Sequence, residues 1–190
     1  MGCKVKLIHF TEENSFYFVT STTYRKRTLF SNDNCAQILC HIIYNLRNRG
    51  KMLILGFVIM PEHLHLLMTP RNGVRVSWIM QEIKKGSARL INNELFCRAQ
   101  GRARLPRFKI NTPLRRESWH SGSSQTTNRL KSKKVWMDEY YDYVIRDEKD
   151  LIKHLNYIHN NPVKRGLVEN PEKYFWSSAN SIFENDLEKI

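Results

Sequence analysis

Residues 16–24 are dense in β-branched and aromatic side chains and predict a strand. Ser31-Asn32-Asp33 then offers caps for a helix over about 34–48, in which Ile38, Ile42 and Leu46 recur every fourth residue before a stop at Gly50. The apolar run from Met52 to Met60 is interrupted at Pro61 and resumes over 63–69. It predicts either two strands joined tightly at Pro61 or one long strand bent by a bulge. Residues 76–94 carry an apolar stripe at Ile79, Ile83 and Leu90 and predict a second helix. Periodicity then fails over about 97–134, where Gly, Pro, Ser and Thr cluster. A connection of that length is functional or disordered. Residues 135–145 predict another strand, with Trp136, Tyr140, Tyr141 and Tyr143 expected as sheet core and cross-strand pairs. A last helix over 148–160 is capped by Asp147 and expected to end at Asn161-Pro162, and Trp176 beyond it is expected in the core.

That order, with one chain of 190 residues, predicts a single α+β domain over 1–190 with helices packed on one face of an antiparallel sheet. No stretch approaches the ~20 apolar residues of a bilayer span. The first residues lack the apolar core of a signal peptide, so a cytoplasmic location is expected. Cys3, Cys35, Cys40 and Cys97 form no CxxC pair, and Cys35 and Cys40 read as reduced, half-buried helix residues.

The formal net charge of +13 sharpens the picture through its location. Eleven Lys and Arg against the single acid Glu117 lie between Arg98 and Lys134, which leaves only +3 for the other 153 residues. A basic segment this concentrated, interleaved with Phe108 and Trp119, points to nucleic acid. Candidate DNA contacts in it are Arg102, Arg104, Arg107, Lys109, Arg115, Arg116, Lys131, Lys133 and Lys134. Lys84, Lys85 and Arg89 on the second helix are further candidates; an ordinary solvated helix face is the alternative.

Candidate chemistry starts at His63-Leu64-His65. On a strand both imidazoles project from one face, and Leu64, Leu66 and Met68 from the other, which makes half of a divalent-metal site. Glu62 alternates away from His63 if the strand is regular. On the last helix Leu151, Ile152, Leu155 and Ile158 have core spacing, whereas Tyr157 and Asn161 share a flanking ridge with His154 nearby. If that ridge crosses the histidine face, a hydroxyl nucleophile stands beside a metal held by His63, His65 and Asn161. This nitrogen and oxygen donor set suits Mg or Mn. Tyrosine ionises near pH 10, so its attack needs a polarised electrophile such as a phosphodiester. The bland alternative is a polar helix flank and two strand histidines bonded locally. His154 reads either as an accessory group or as an exposed helix histidine, and His159 reads as structural. His9, His41 and His120 have no evident partners.

The blocks Met60-Pro61-Glu62-His63-Leu64-His65 and Tyr157 to Val168 (YIHNNPVKRGLV) resemble the two signatures of the single-tyrosine HUH transposases, the REP-associated tyrosine transposases above all. Phe18-Val19-Thr20, Val135-Trp136, Tyr140-Tyr141-Asp142-Tyr143 and Phe175-Trp176-Ser177-Ser178 extend the likeness over roughly residues 8 to 180. The resemblance implies a ferredoxin-like sheet. It also implies metal ligation by His63 and His65, with Asn161 as the polar ligand. Tyr157 would attack single-stranded DNA beside a hairpin, leaving a 5′-phosphotyrosine and a free 3′-hydroxyl. Such proteins work as monomers or homodimers. The stretch 97–134 departs from them in being longer and more basic, either a DNA-contacting arm or a degenerate insertion. Two other functions compete. One is a nucleic-acid-binding module without chemistry on the same fold. The other is a phosphodiesterase with catalytic histidines, which Leu67, standing where a third alternating histidine would sit, disfavours.

Overall fold

Strands β1 (Tyr17–Thr22), β2 (Met52–Met60), β3 (His63–Pro70) and β4 (Tyr141–Val144) alternate with helices α1 (Asp33–Asn48), α2 (Val76–Ala99) and α3 (Glu148–Lys164) in a computed structural model that describes residues 15–100 and 133–187. The order is β1-α1-β2-β3-α2-β4-α3, and the four strands pair antiparallel as β2-β3-β1-β4. The first six elements form the βαββαβ unit of ferredoxin-like folds. The α+β class and the antiparallel sheet therefore agree with the sequence. Among the described residues no helix is long and apolar enough to cross a membrane.

Local chemistry sets the boundaries. Asn32 caps α1 by accepting from the Asn34 amide, and Gly50 ends the turn after it at φ 64°. Pro61 and Glu62 make the tight connection between β2 and β3, so the two-strand alternative holds. A bulge is present as well, within β2: pairing steps from Ile54↔Met68 to Gly56↔Leu67, leaving Leu55 over.

Three expectations are corrected. The helices do not share one face. Tyr17, Val19, Phe57, Ile59, Leu64 and Leu66 pack under α1 and α2, whereas Phe18, Leu55, Val58, Met60 and Leu67 pack under Ile158 of α3. With both faces covered, β2 is apolar throughout instead of alternating. The last strand is short: residues 135–137 lie beside the end of β1, with a bridge from Thr23 to Trp136, and the chain bends at Asp138 before β4 begins. There the Trp136 indole donates to Ser87 on α2 (2.9 Å), and the Lys84 ammonium takes the carbonyls of Asp138 and Glu139 (2.6 and 3.4 Å). Finally, α3 runs on to Lys164 with Pro162 inside it. Pro162 forfeits one helical hydrogen bond. The turn still closes through Arg165 N–H to Asn161 C=O and Leu167 N–H to Pro162 C=O.

α3 reaches the sheet at Gly56. A Cβ there would stand 2.5 Å from Leu155 Cδ1 and 3.4 Å from Ser178 Oγ. Within α3, Leu151, Leu155 and Ile158 face the sheet as expected, but Ile152 is exposed because the docked face is narrower than the spacing suggested. Gly56→Val should lower stability by about 1–3 kcal/mol through overpacking. Gly56→Ala should lower it less, because a leucine methyl can turn aside. Urea midpoints for the three proteins check the order.

Candidate active site

His63 and His65 extend from β3 toward α3, while Leu64 and Leu66 enter the opposite core. The β1 register places Thr20 across from His65, and Thr20 Oγ1 lies 2.7 Å from His65 Nδ1. His63 Nδ1 lies 3.1 Å from Glu62 Oε1, which also accepts from Arg165 Nη2 at 2.9 Å. With each Nδ1 engaged, the two Nε2 atoms face each other at 3.0 Å. One His65 tautomer turns this into a hydrogen bond; the other aims both lone pairs at one point. Burial, then the neighbouring His63, pushes the His65 pKa down to about 3. Burial also lowers that of His63, against the pull of the Glu62 carboxylate. Both rings are then neutral near pH 7, the form that can donate to a metal.

α3 supplies the other side. Asn161 is buried, and its amide Nδ2 lies 3.3 Å from His65 Nε2, so a flip of the amide would set its oxygen there instead. Tyr157, one turn earlier, is 40% exposed. Its ring stands edge-on to His65 at 5.2 Å and to Phe18 at 5.9 Å, with Lys164 Nζ 5.4 Å from its centre. The ridge of Tyr157 and Asn161 thus does cross the histidine face.

The donor types, two neutral imidazoles and an amide, are ones that divalent cations accept. Two nitrogens bound at about 2.1 Å and at right angles lie about 3 Å apart, close to the Nε2 separation found, and the third donor is an amide. Among the described residues no cluster of three or more His, Cys, Asp or Glu is placed to hold a metal.

Several residues fall differently from the sequence expectation. Glu62 lies on the His63 side, because it belongs to the Pro61-Glu62 turn and not to a regular strand. His154 is not exposed; its Nδ1 lies 2.8 Å from the Asp150 carbonyl, and its ring packs on Tyr143 and Phe18 at 5.0 and 4.9 Å. It braces Phe18 from behind. His159 contacts Ser178 Oγ at 2.9 Å, and His41 is buried on α1. Cys35 and Cys40 are free and fully buried, and burial raises both thiol pKa values.

The basic candidates are dispersed. Lys84, Lys85 and Arg89 ride on α2, across the sheet from Tyr157, and Lys84 is tied to backbone carbonyls. Lys133 and Lys134 are exposed beside β1; Lys134 pairs with Asp138 at 2.7 Å and lies over the Tyr24 ring. Arg102, Arg104, Arg107, Lys109, Arg115, Arg116 and Lys131 lie outside the described residues, as do Phe108, Trp119, His9 and His120. Thr20 and Arg165 were missed as site residues. Thr20 becomes visible only with the strand register, while Arg165 lies four residues after Asn161 in the sequence.

Residues 11–104 match the family model described as Transposase IS200 like. Over 121 residues the chain is 32% identical to a putative REP-associated tyrosine transposase of Haemophilus influenzae, covering 63% of this chain and 54% of that protein. The chain therefore spans about half the length of that relative. A REP-associated tyrosine transposase of Escherichia coli is 23% identical over 162 residues, which are 85% of this chain and 73% of that one. The structure of a REP-associated tyrosine transposase bound to a REP hairpin shares the fold, with a TM-score of 0.60 and 22% identity over 94% of this chain and 88% of that one. By matched residues and relatives, the chain is similar to the IS200-like transposases, and the solved REP-associated tyrosine transposase shares its fold.

Proposed function

We propose that this protein cuts and rejoins single-stranded DNA at or near hairpins, with Tyr157 as the nucleophile. The observation that carries the reading is the meeting of three elements at one point. The exposed Tyr157 stands against His65, whose Nε2 faces His63 Nε2 at 3.0 Å and the Asn161 amide Nδ2 at 3.3 Å. The hairpin part rests on family: the related transposase of the same fold was solved on a REP hairpin. The +10 segment between Arg98 and Lys134 supplies charge for a polyanion.

His63, His65 and Asn161 would hold Mg or Mn. The bound cation would supply positive charge to polarise the phosphodiester. The chain's own residues do the rest. Phe18 and His65 both meet the Tyr157 ring edge-on, and these contacts restrict the orientations open to its hydroxyl. The phenolic oxygen attacks phosphorus and its proton passes to solvent. A tyrosine–phosphate bond forms at the 5′ side, the bond from phosphorus to the 3′ oxygen breaks, and that oxygen leaves as a hydroxyl on taking up a proton. Attack by a 3′-hydroxyl reverses the exchange and joins strands. No high-energy cofactor is needed because the diester energy stays in the phosphotyrosine.

Thr20 and Glu62 act through the ligands. A Glu62 carboxylate accepting from His63 Nδ1 directs the Nε2 lone pair into the cleft, and Thr20 does the same for His65.

Labelled hairpin oligonucleotides with single-stranded flanks, incubated with Mg or Mn, should yield a denaturation-resistant protein–DNA adduct. Tyr157→Phe should abolish it while leaving the melting temperature nearly unchanged, since the hydroxyl makes no hydrogen bond among the described residues. An undiminished adduct in that variant rejects Tyr157. For the metal, titration calorimetry with Mn should show Thr20→Val and Glu62→Gln each weakening affinity about 10–100-fold, and His65→Ala removing binding. Equal affinity in all four proteins rejects this ligand set.

A further inference from the structure

α3 roofs β2 and β3 and, through His154, reaches Phe18 and Tyr143, but leaves the Thr20, Thr22 and Tyr141 end of the same face open. There a groove of about 570 Å³ lies over Thr20, Thr22 and Tyr141, between Met137 to Tyr140 on one side and Arg25 and Lys26 on the other. It is continuous with the candidate active site. Thr20, in the groove lining, also contacts His65, and Tyr141 is the cross-strand partner of Thr20. Phe18 carries the Tyr141 ring edge-on at 6.5 Å and the Tyr157 ring edge-on at 5.9 Å.

The lining is unusual for a bare sheet surface. Tyr141 and Met137 are 48% and 45% exposed, although the pattern of residues 135–145 suggested a buried strand. At the rim Arg25 and Lys26 are consecutive left-handed residues, at φ 58° and 52°. Neither is glycine, and that conformation costs about 1–2 kcal/mol each. The turn is pinned all the same. Thr23 Oγ1 donates to the Arg27 and Glu62 carbonyls, and Tyr24 N–H donates to Val135 C=O. Among the described residues no carboxylate pairs with Arg25 or Lys26.

Resting on the DNA-processing reading above, we infer that this groove binds an unpaired nucleotide adjoining the phosphodiester that Tyr157 attacks. Its base stacks on Tyr141 against Met137, and its phosphate faces Arg25 and Lys26. Glu139, also in the lining, offers an acceptor to an amino group on the base edge. Exposed sheet aromatics bounded by cations are a general platform for single-stranded nucleic acid. An apolar peptide would use the floor but leave the two strained cations without a purpose.

The experiment compares two fluorescent DNAs, a blunt hairpin and the same hairpin carrying about four unpaired nucleotides on each flank. Tyr141→Ala should weaken binding of the flanked hairpin about 5- to 100-fold, the range for one lost base stack. It should leave the blunt hairpin unchanged, and Tyr141→Phe should bind as wild type. Arg25→Ala with Lys26→Ala should shrink the advantage of the flanks and lower the salt dependence of flanked binding. The proposal is overturned if Tyr141→Ala binds the flanked DNA normally, loses both DNAs equally, or is matched by Tyr141→Phe. An adduct at Tyr157 together with normal Tyr141→Ala binding rejects the groove alone. Wild type that binds neither DNA rejects the DNA-processing reading with it.

Discussion

The candidate site depends on how closely α3 lies against β2. The chain makes room at Gly56, where Leu155 occupies the space any side chain would need. One step along β2, Ser178 Oγ accepts from Phe57 N–H at 2.8 Å and meets His159 Nε2 at 2.9 Å. Helix, strand and the following segment are thereby stitched at a single level. That segment also lies along the outer edge of β2, with Ile59 N–H to Trp176 C=O and Ser178 N–H to Phe57 C=O. The free edge of the sheet is covered by it. From this fixed contact, Ile158 enters the core while Tyr157 and Asn161 face His65.

The bulge in β2 makes that contact possible. Ile54 and Phe57 share the α1/α2 face although they are three apart, and Leu55 and Val58 share the α3 face likewise. A regular strand would put each pair on opposite faces. The extra residue is locked by Asp186, fully buried, which accepts from Ile54 N–H at 2.9 Å while its own amide donates to Ile54 C=O at 2.6 Å. Arg47 on α1 neutralises that carboxylate in a two-pronged bond of 2.7 and 2.8 Å. A buried carboxylate without such partners would cost several kcal/mol. Thus α1, β2 and the C-terminal segment jointly hold the parity on which the α3 docking rests.

What the sequence made legible follows from this division. The His63-Leu64-His65 alternation was readable because period two needs no partner, and the Asp147 cap of α3 because it is local, with Asp150 N–H donating to Asp147 Oδ1 at 2.8 Å. The bulge was not readable inside β2, because a run apolar on both faces carries no parity signal. The Thr20–His65 pairing needs the register, and Glu62 needs the turn geometry. The Tyr141 exposure was missed because strand propensity cannot say which part of a face a later helix will cover. The reach of α3 decides that its His154 covers Tyr143 while Tyr141, two residues earlier on β4, is left open.

Magnitudes separate what holds the fold from what sets the site. The Arg165–Glu62 pair has an Arg side chain 55% exposed, so it contributes about 0.2–1 kcal/mol at most. Glu62 Oε2, by contrast, is buried without a hydrogen-bond partner, and an unpaired group of that kind costs about 1–3 kcal/mol. The turn would be no less stable with a neutral side chain at position 62. Its carboxylate instead links two placements. Arg165 stands just past the end of α3, one turn beyond Asn161, so the element that carries the amide to His65 also anchors the group that orients His63. A shift of α3 would disturb both donors together. The imidazole pair and the amide therefore form or fail as one unit, although Asn161 stands 96 positions after His65 in the sequence.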